Sequence, residues 1–322
     1  MKRNWLQPAV VVLTTLAILA PAPAAAAKAK AKAKAGGSSK AAAAEPAGPA
    51  YVGVISLDAT SGRVLFEDKA DAPGHPASTL KLMDLLIILE KIEAGTLKLN
   101  DTVTVTAESS TIGGSQVYLK EHETFIVDEM LYALMIQSAN DAATALAIHV
   151  AGSKDAFVGM MNKRAQELGM ASTVFRSVHG LPPGKGQEPD VTTARDMSKL
   201  CLEVLKHKDA LRYTSTRERP FRPNAKEPFI MRTHNHLLGS FEGCDGLKTG
   251  YYREAGFTIA CTAERNGKRV LAVVMGSPTR PVRDAKACEL MAQGLLAIPD
   301  APPAAVPAAA PSELSPAAAV KK

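Results

Sequence analysis

Residues 245–275 read DGLKTGYYREAGFTIACTAERNGKRVLAVVM. Three apolar runs, at about 246–249, 256–263 and 269–275, predict three strands in quick succession. Asn266-Gly267 between the last two predicts a tight hairpin turn. Downstream, about 282–296 predicts a final helix. At the other end, 51–58 and 63–69 predict a second hairpin with Ser61-Gly62 near its turn. Between these strands lie helical patterns: one begins near Ser78 and stops at Gly95, and others fall at 128–137, 141–150 and 154–168. A further helix over 194–206 opens on Thr193-Ala194-Arg195-Asp196 as a capping box. Strands at the termini around a helical middle predict an α+β domain, an antiparallel β-sheet with a helical cluster packed on it.

The chain has 322 residues, 46% hydrophobic and 22% charged, which suffices for a sizeable core. Its net charge of +6 belongs to its ends. Residues 1–50 carry seven Lys/Arg against one Glu, and 301–322 carry two Lys against one Glu. The middle, 51–300, balances at −1. A folded part without a basic surface argues against a nucleic-acid partner. The four cysteines, at 201, 244, 261 and 288, form no C-x-x-C pair and predict small buried thiols.

Residues 1–27 combine a charged start, a twelve-residue apolar run and a small-residue cleavage site, the pattern of a secretory signal peptide. The run is shorter than the roughly 20 residues a membrane span needs. The expectation is an exported protein, periplasmic or otherwise extracytoplasmic, soluble after cleavage and with no stable membrane anchor. Residues 28–50 form a Lys/Ala-rich low-complexity linker and 300–322 an Ala/Pro-rich disordered tail, leaving 51–299 as one folded domain.

Three motifs occur in order: Ser78-Thr79-Leu80-Lys81, Ser138-Ala139-Asn140 and Lys248-Thr249-Gly250. Ser78 and Lys81 share one helix face, where the helix N-terminus favours negative charge. Desolvation, or a second cation such as Lys248, lowers a lysine from its usual pKa of ~10.4 and leaves an amine able to take the serine proton. Ser138, between two helices, is placed to relay a proton to a leaving amine. Asn140 is placed either to bond a substrate amide or to orient Lys81. Lys248 and Thr249 on a strand edge suit a carboxylate, and Gly250 lets the backbone approach. The N–H groups of Ser78 and Tyr251 are the candidate oxyanion hole. Arg283 is a candidate for a second charge on the carboxylate, with a surface ion pair to Asp284 or Glu289 as its other use.

The motifs, their intervals of 60 and 110 residues, and the surroundings PASTLKLM, GGSQVYL, LMIQSANDAATALA, GCDGLKTG and MGSPTRPVRDAK resemble the low-molecular-mass penicillin-binding proteins. These are the serine D-alanyl-D-alanine carboxypeptidases, peptidase family S11. The resemblance spans residues 77–296. It implies a β-lactamase/DD-peptidase (transpeptidase-like) fold and catalysis by Ser78, Lys81 and Ser138. It further implies cleavage of the terminal D-alanine from peptidoglycan stem peptides through an acyl-enzyme, capture by β-lactams as covalent inhibitors, and no cofactor. D-alanyl endopeptidases share the minimal architecture, so the bond cut stays open. A non-catalytic wall-binding module is the rival from another class. A Glu-x-x-Leu-Asn segment, which class A β-lactamases carry, is missing between Ser138 and Lys248. His234-Asn235-His236 without H-E-x-x-H predicts no metal site. His75 is read as a loop residue.

Overall fold

The computed structural model describes residues 50–300; the expected signal lies outside them, as do the linker up to residue 49 and the tail from residue 301. The chain begins with strands β1 (Gly53–Asp58) and β2 (Val64–Asp68). A 3₁₀ turn, Ala77–Leu80, leads into α1 (Lys81–Glu93). Then come β3 (Thr102–Thr104), α2 (Ala107–Ser110), β4 (Thr124–Ile126) and α3 (Val127–Tyr132), which a π-helical turn continues over Ala133–Gln137. Helices α4 (Asn140–Ala151), α5 (Lys154–Glu167), α6 (Ala194–Val204) and α7 (Ala210–Thr214) follow. A hairpin of β5 (Glu218–Phe221) and β6 (Phe229–Arg232) precedes the long strands β7 (Cys244–Tyr252), β8 (Gly256–Arg265) and β9 (Lys268–Ser277). Helix α8 (Arg280–Ala297) closes the order.

The five-stranded antiparallel sheet has the order β2-β1-β9-β8-β7. Its two chain ends therefore meet in the middle, where β1 pairs with β9. Alternate residues of β9 face opposite ways: Leu271, Val273 and Met275 join the helical core, while Val270, Ala272 and Val274 join a second core under α8. Both faces are covered, so these strands read as unbroken apolar runs. Ala287, Leu290, Met291 and Leu295 recur at helical spacing on α8 and fill the second core. On the other side α6 packs against β9 and β1 through Met197, Leu200 and Val204. Helix α1 lies within that cluster, with every residue from Lys81 to Leu89 buried, which accounts for the run LMDLLIILE.

The Asn266-Gly267 turn forms as expected, with φ of 51° and 72°, the left-handed pair that a two-residue hairpin requires. Other boundaries move. Helix α8 starts two residues earlier than expected, because Thr279 accepts a hydrogen bond from the Val282 N–H and Pro281 occupies the first turn. The capping box at Thr193 is half made. Its hydroxyl accepts from the Asp196 N–H, but the Asp196 carboxylate accepts from the Ser172 N–H and Thr173 Oγ1 instead of reaching back. The short pairs β3–β4 and β5–β6 were not anticipated, since three or four residues hold too little alternation to register. All four cysteines are free thiols, two buried and two half-buried. Among the described residues no helix is long and apolar enough to cross a membrane.

Candidate active site

Ser78 sits in the 3₁₀ turn and Lys81 opens α1 directly behind it. Lys81 is fully buried. Its Nζ lies 3.0 Å from Ser78 Oγ, 2.8 Å from Asn140 Oδ1 and 2.7 Å from the His179 carbonyl oxygen. The last two partners can only accept. A neutral amine has two N–H groups for them, and its lone pair then faces Ser78 Oγ. Burial lowers the Lys81 pKa from 10.5 to about 7, opposed by Asp84, Asp141 and Asp190. Of the two causes expected, desolvation leads, and Lys248 is not among the charges that bear on it. Lys248 is itself buried, donates to the Thr249 carbonyl at 3.0 Å, and is held well below the ordinary lysine range by burial, then by Lys81 and Arg283.

The helix entering the second motif widens into the π turn, and the Ala139 N–H reaches back to the Ala133 carbonyl at 3.1 Å. Ser138 follows in the left-handed region (φ 59°, ψ 34°), and α4 begins two residues on. A non-glycine residue held there carries backbone strain of the kind found at functional sites. Ser138 Oγ is buried and has no hydrogen-bond partner among the described residues. Asn140 accepts from Lys81 and donates through Nδ2 to the Gly113 carbonyl at 2.8 Å, while its N–H donates to the Ser115 carbonyl at 2.7 Å. Of its two possible uses, the structure places Asn140 on the one that holds Lys81.

Ser78, Ser138, Thr249, Gly250, Tyr251 and Arg283 line one cleft of about 250 Å³. β7 is the outer strand of the sheet, and Gly250 brings it hard against the serine turn. A Cβ on Gly250 would stand 2.7 Å from the Pro76 carbonyl oxygen and 2.9 Å from the Ser78 nitrogen. Gly180 (φ +71°) presses from another side, where a Cβ would fall 2.2 Å from the Ala77 carbonyl oxygen. Arg283 is only 3% exposed, and its Nε and Nη2 donate to Asp284 Oδ1 at 2.9 and 2.6 Å. The pair with Asp284 exists, but it lies in the cleft wall and not on the surface. Glu289 binds Lys286 instead.

Sequence reasoning missed His234, His236, Arg280 and Ser115, which share the cleft wall. Asn235 fixes the histidines there by donating to the Gly246 carbonyl at 3.1 Å and accepting from the Leu237 N–H at 3.1 Å. The signal was present, since His234-Asn235-His236 stands about a dozen residues before the third motif, but the histidines were weighed only as metal ligands. His234 is pushed down to about 4 by burial, then by Lys248 and Arg280, and is neutral at ordinary pH. Two arginines and no carboxylate among the lining residues make the cleft electropositive, as an anionic ligand requires. His75 packs on Tyr252 with its Nδ1 2.9 Å from the Asp190 carbonyl oxygen, outside that lining. Among the described residues the one potential metal-ligand group is Glu90, Glu203 and His207, and Arg164 lies across both of its carboxylates.

A serine at a helix start, a buried amine bonded to it, a second serine on a strained loop and a lysine on an edge strand define one class: active-site-serine proteins with a lysine partner on an α+β frame. Residues 40–279 match the family model described as D-alanyl-D-alanine carboxypeptidase (peptidase S11), and the chain belongs to that family. It is 34% identical over 237 residues to the D-alanyl-D-alanine carboxypeptidase DacF of Bacillus subtilis, covering 74% of this chain and 60% of the relative. To the carboxypeptidase DacC of Escherichia coli it is 35% identical over 249 residues, with the same coverages. The chain thus spans about 60% of the length of these two relatives. Penicillin-binding protein D2 of Listeria monocytogenes, solved in an ampicillin-bound form, superposes with a TM-score of 0.67 at 30% identity, covering 76% of this chain and 97% of that one.

Proposed function

We propose that this chain is a serine-type D-Ala-D-Ala carboxypeptidase that removes the terminal D-alanine of peptidoglycan stem peptides. The observation that carries the reading is the Lys81 amine, buried, 3.0 Å from Ser78 Oγ and bound on its other sides to two obligate acceptors. The substrate backbone runs along the open edge of β7, and its terminal carboxylate meets Thr249 and Arg283 with Lys248 behind them. Ser78 Oγ attacks the penultimate D-alanine carbonyl while its proton passes to Lys81 Nζ. The N–H groups of Ser78 and Tyr251 hold the oxyanion. When the C–N bond breaks, the Ser138 hydroxyl gives its proton to the departing amine and recovers one from Lys81. Water then cleaves the ester and restores Ser78.

A β-lactam offers a strained amide with a carboxylate at the matching position, so it acylates the same serine. The ampicillin-bound Listeria relative supports this part of the reading. Peptidoglycan lies outside the cytoplasm, and the secretory pattern of residues 1–27 fits an exported enzyme. Incubation with a stem pentapeptide and with a cross-linked dimer, followed by mass spectrometry, tests the assignment. The expected product is tetrapeptide plus free D-alanine from the pentapeptide. Cleavage of the dimer alone would make the enzyme an endopeptidase, and no cleavage of either would reject both.

A further inference from the structure

Three carboxyl groups bear on Lys81, and two of them have donors of their own. Asp141, on α4, accepts from the N–H groups of Leu119 and Ala142 at 3.0 and 2.9 Å. Asp190 accepts from the N–H groups of Arg176 and Ser177 at 2.6 and 3.0 Å and from Ser177 Oγ at 2.7 Å. Asp84 differs. It lies one turn along α1 from Lys81, on the same helix face, only 1% exposed, and neither carboxyl oxygen has a hydrogen-bond partner among the described residues. Its neighbours along the helix are Leu82, Met83, Leu85 and Leu86, all buried. A carboxylate with no donor in apolar surroundings is costly to charge. Burial accordingly pushes the Asp84 carboxyl well above its ordinary range, and Lys81 is the one group that pulls it back.

We propose that Asp84 is a positioning residue for the base: its carboxyl, buried and without a donor one turn from Lys81 on the same helix face, favours the charged amine and so sets the pH below which that amine no longer takes the Ser78 proton. The inference rests on the reading of Lys81 as the base. Other charges near Lys81 do not duplicate the role. From β7 comes Lys248, of like sign; from the 170–193 segment come His179, pushed to about 3 by burial and then by Lys81, and Asp190; from α4 comes Asp141; beyond them stand His234 and Arg283. Asp84 is the foremost charge raising the Lys81 pKa against its burial, and it alone is without another partner. The two groups therefore titrate as a pair.

The acylation rate by a fluorescent penicillin, measured against pH for the wild type, Asp84→Asn and Asp84→Ser, tests this. Removing the carboxyl should move the acid limb to lower pH. One unit below the wild-type midpoint, each variant should rise from about one-tenth to about half of its own plateau, a roughly fivefold gain. A purely structural role for Asp84 would lower the plateau and leave the midpoint in place; an unchanged or raised midpoint overturns the proposal. Should neither variant fold, carbon NMR of the wild-type Asp84 carboxyl decides. Its chemical shift should change as Lys81 titrates through the acylation limb, and a signal that stays constant across that limb would contradict the coupling. A wild type that takes up no penicillin at any pH would sink the acyl-enzyme reading, while the NMR titration would still report whether the Asp84 carboxyl senses the charge of Lys81.

Discussion

Lys81 owes its chemistry to its surroundings more than to its type. Burial brings its pKa from 10.5 to about 7, so the amine is neutral above that pH and charged below it. Acylation should therefore fall about tenfold per unit as pH drops below about 7, checked by penicillin uptake in stopped flow. Lys81→Arg keeps the charge but offers no neutral form, and should lose on the order of 10²–10⁴-fold in acylation with its circular dichroism unchanged. Arg283 tests the other end of the cleft. Arg283→Ala should cost about 1.5–3 kcal/mol, some ten- to hundredfold in kcat/KM, and that loss should shrink on a substrate whose terminal carboxylate is amidated. Equal losses on both substrates would return Arg283 to a structural pairing with Asp284. At this scale the side-chain part of the site was legible, because Ser78, Lys81, Ser138 and Lys248 announce themselves by spacing. The His179 carbonyl that orders Lys81 was not, since a backbone oxygen contributes the same atom whatever its side chain. Asp84 was hidden too, in a run that read simply as buried helix.

The elements meet at Gly250 and Ser138. Gly250 has no room for a Cβ between the Pro76 carbonyl and the Ser78 nitrogen, so Gly250→Ala should drive β7 away from the serine turn. We expect about 1–3 kcal/mol of destabilisation, seen as a Tm lower by several degrees, together with acylation reduced tenfold or more. Unchanged acylation would mean that β7 does not shape the oxyanion site. Long elements were readable because each is a sustained apolar run set off by turn or cap signals, as in α1, β8 and β9. The π turn at Ala133–Gln137 was not, for its residues ALMIQ are ordinary helix formers. Its effect is felt at Ser138, whose left-handed backbone no propensity suggests. The strands of the β3–β4 and β5–β6 pairs, three and four residues long, are too short to show an alternation of their own.

Across the whole molecule the cleft opens where the helical cluster meets the free edge of the sheet, and its wall carries arginines and histidines from the 234–236 loop and from α8. Sheet and helix cluster were legible as an α+β pattern. That α8 covers the opposite face, and that the loop before β7 folds over the site, follows from packing that no single segment records. Among the described residues no carboxylate lines the cleft to activate a deacylating water, so a penicillin adduct should persist far longer than the adduct of a β-lactam hydrolase would. The central claim is that Ser78 carries the acyl group, and peptide mapping by mass spectrometry after incubation with penicillin tests it most directly. One adduct is expected, on the peptide containing Ser78, and none in Ser78→Ala. An adduct on another residue, or equal labelling of the variant, would contradict it.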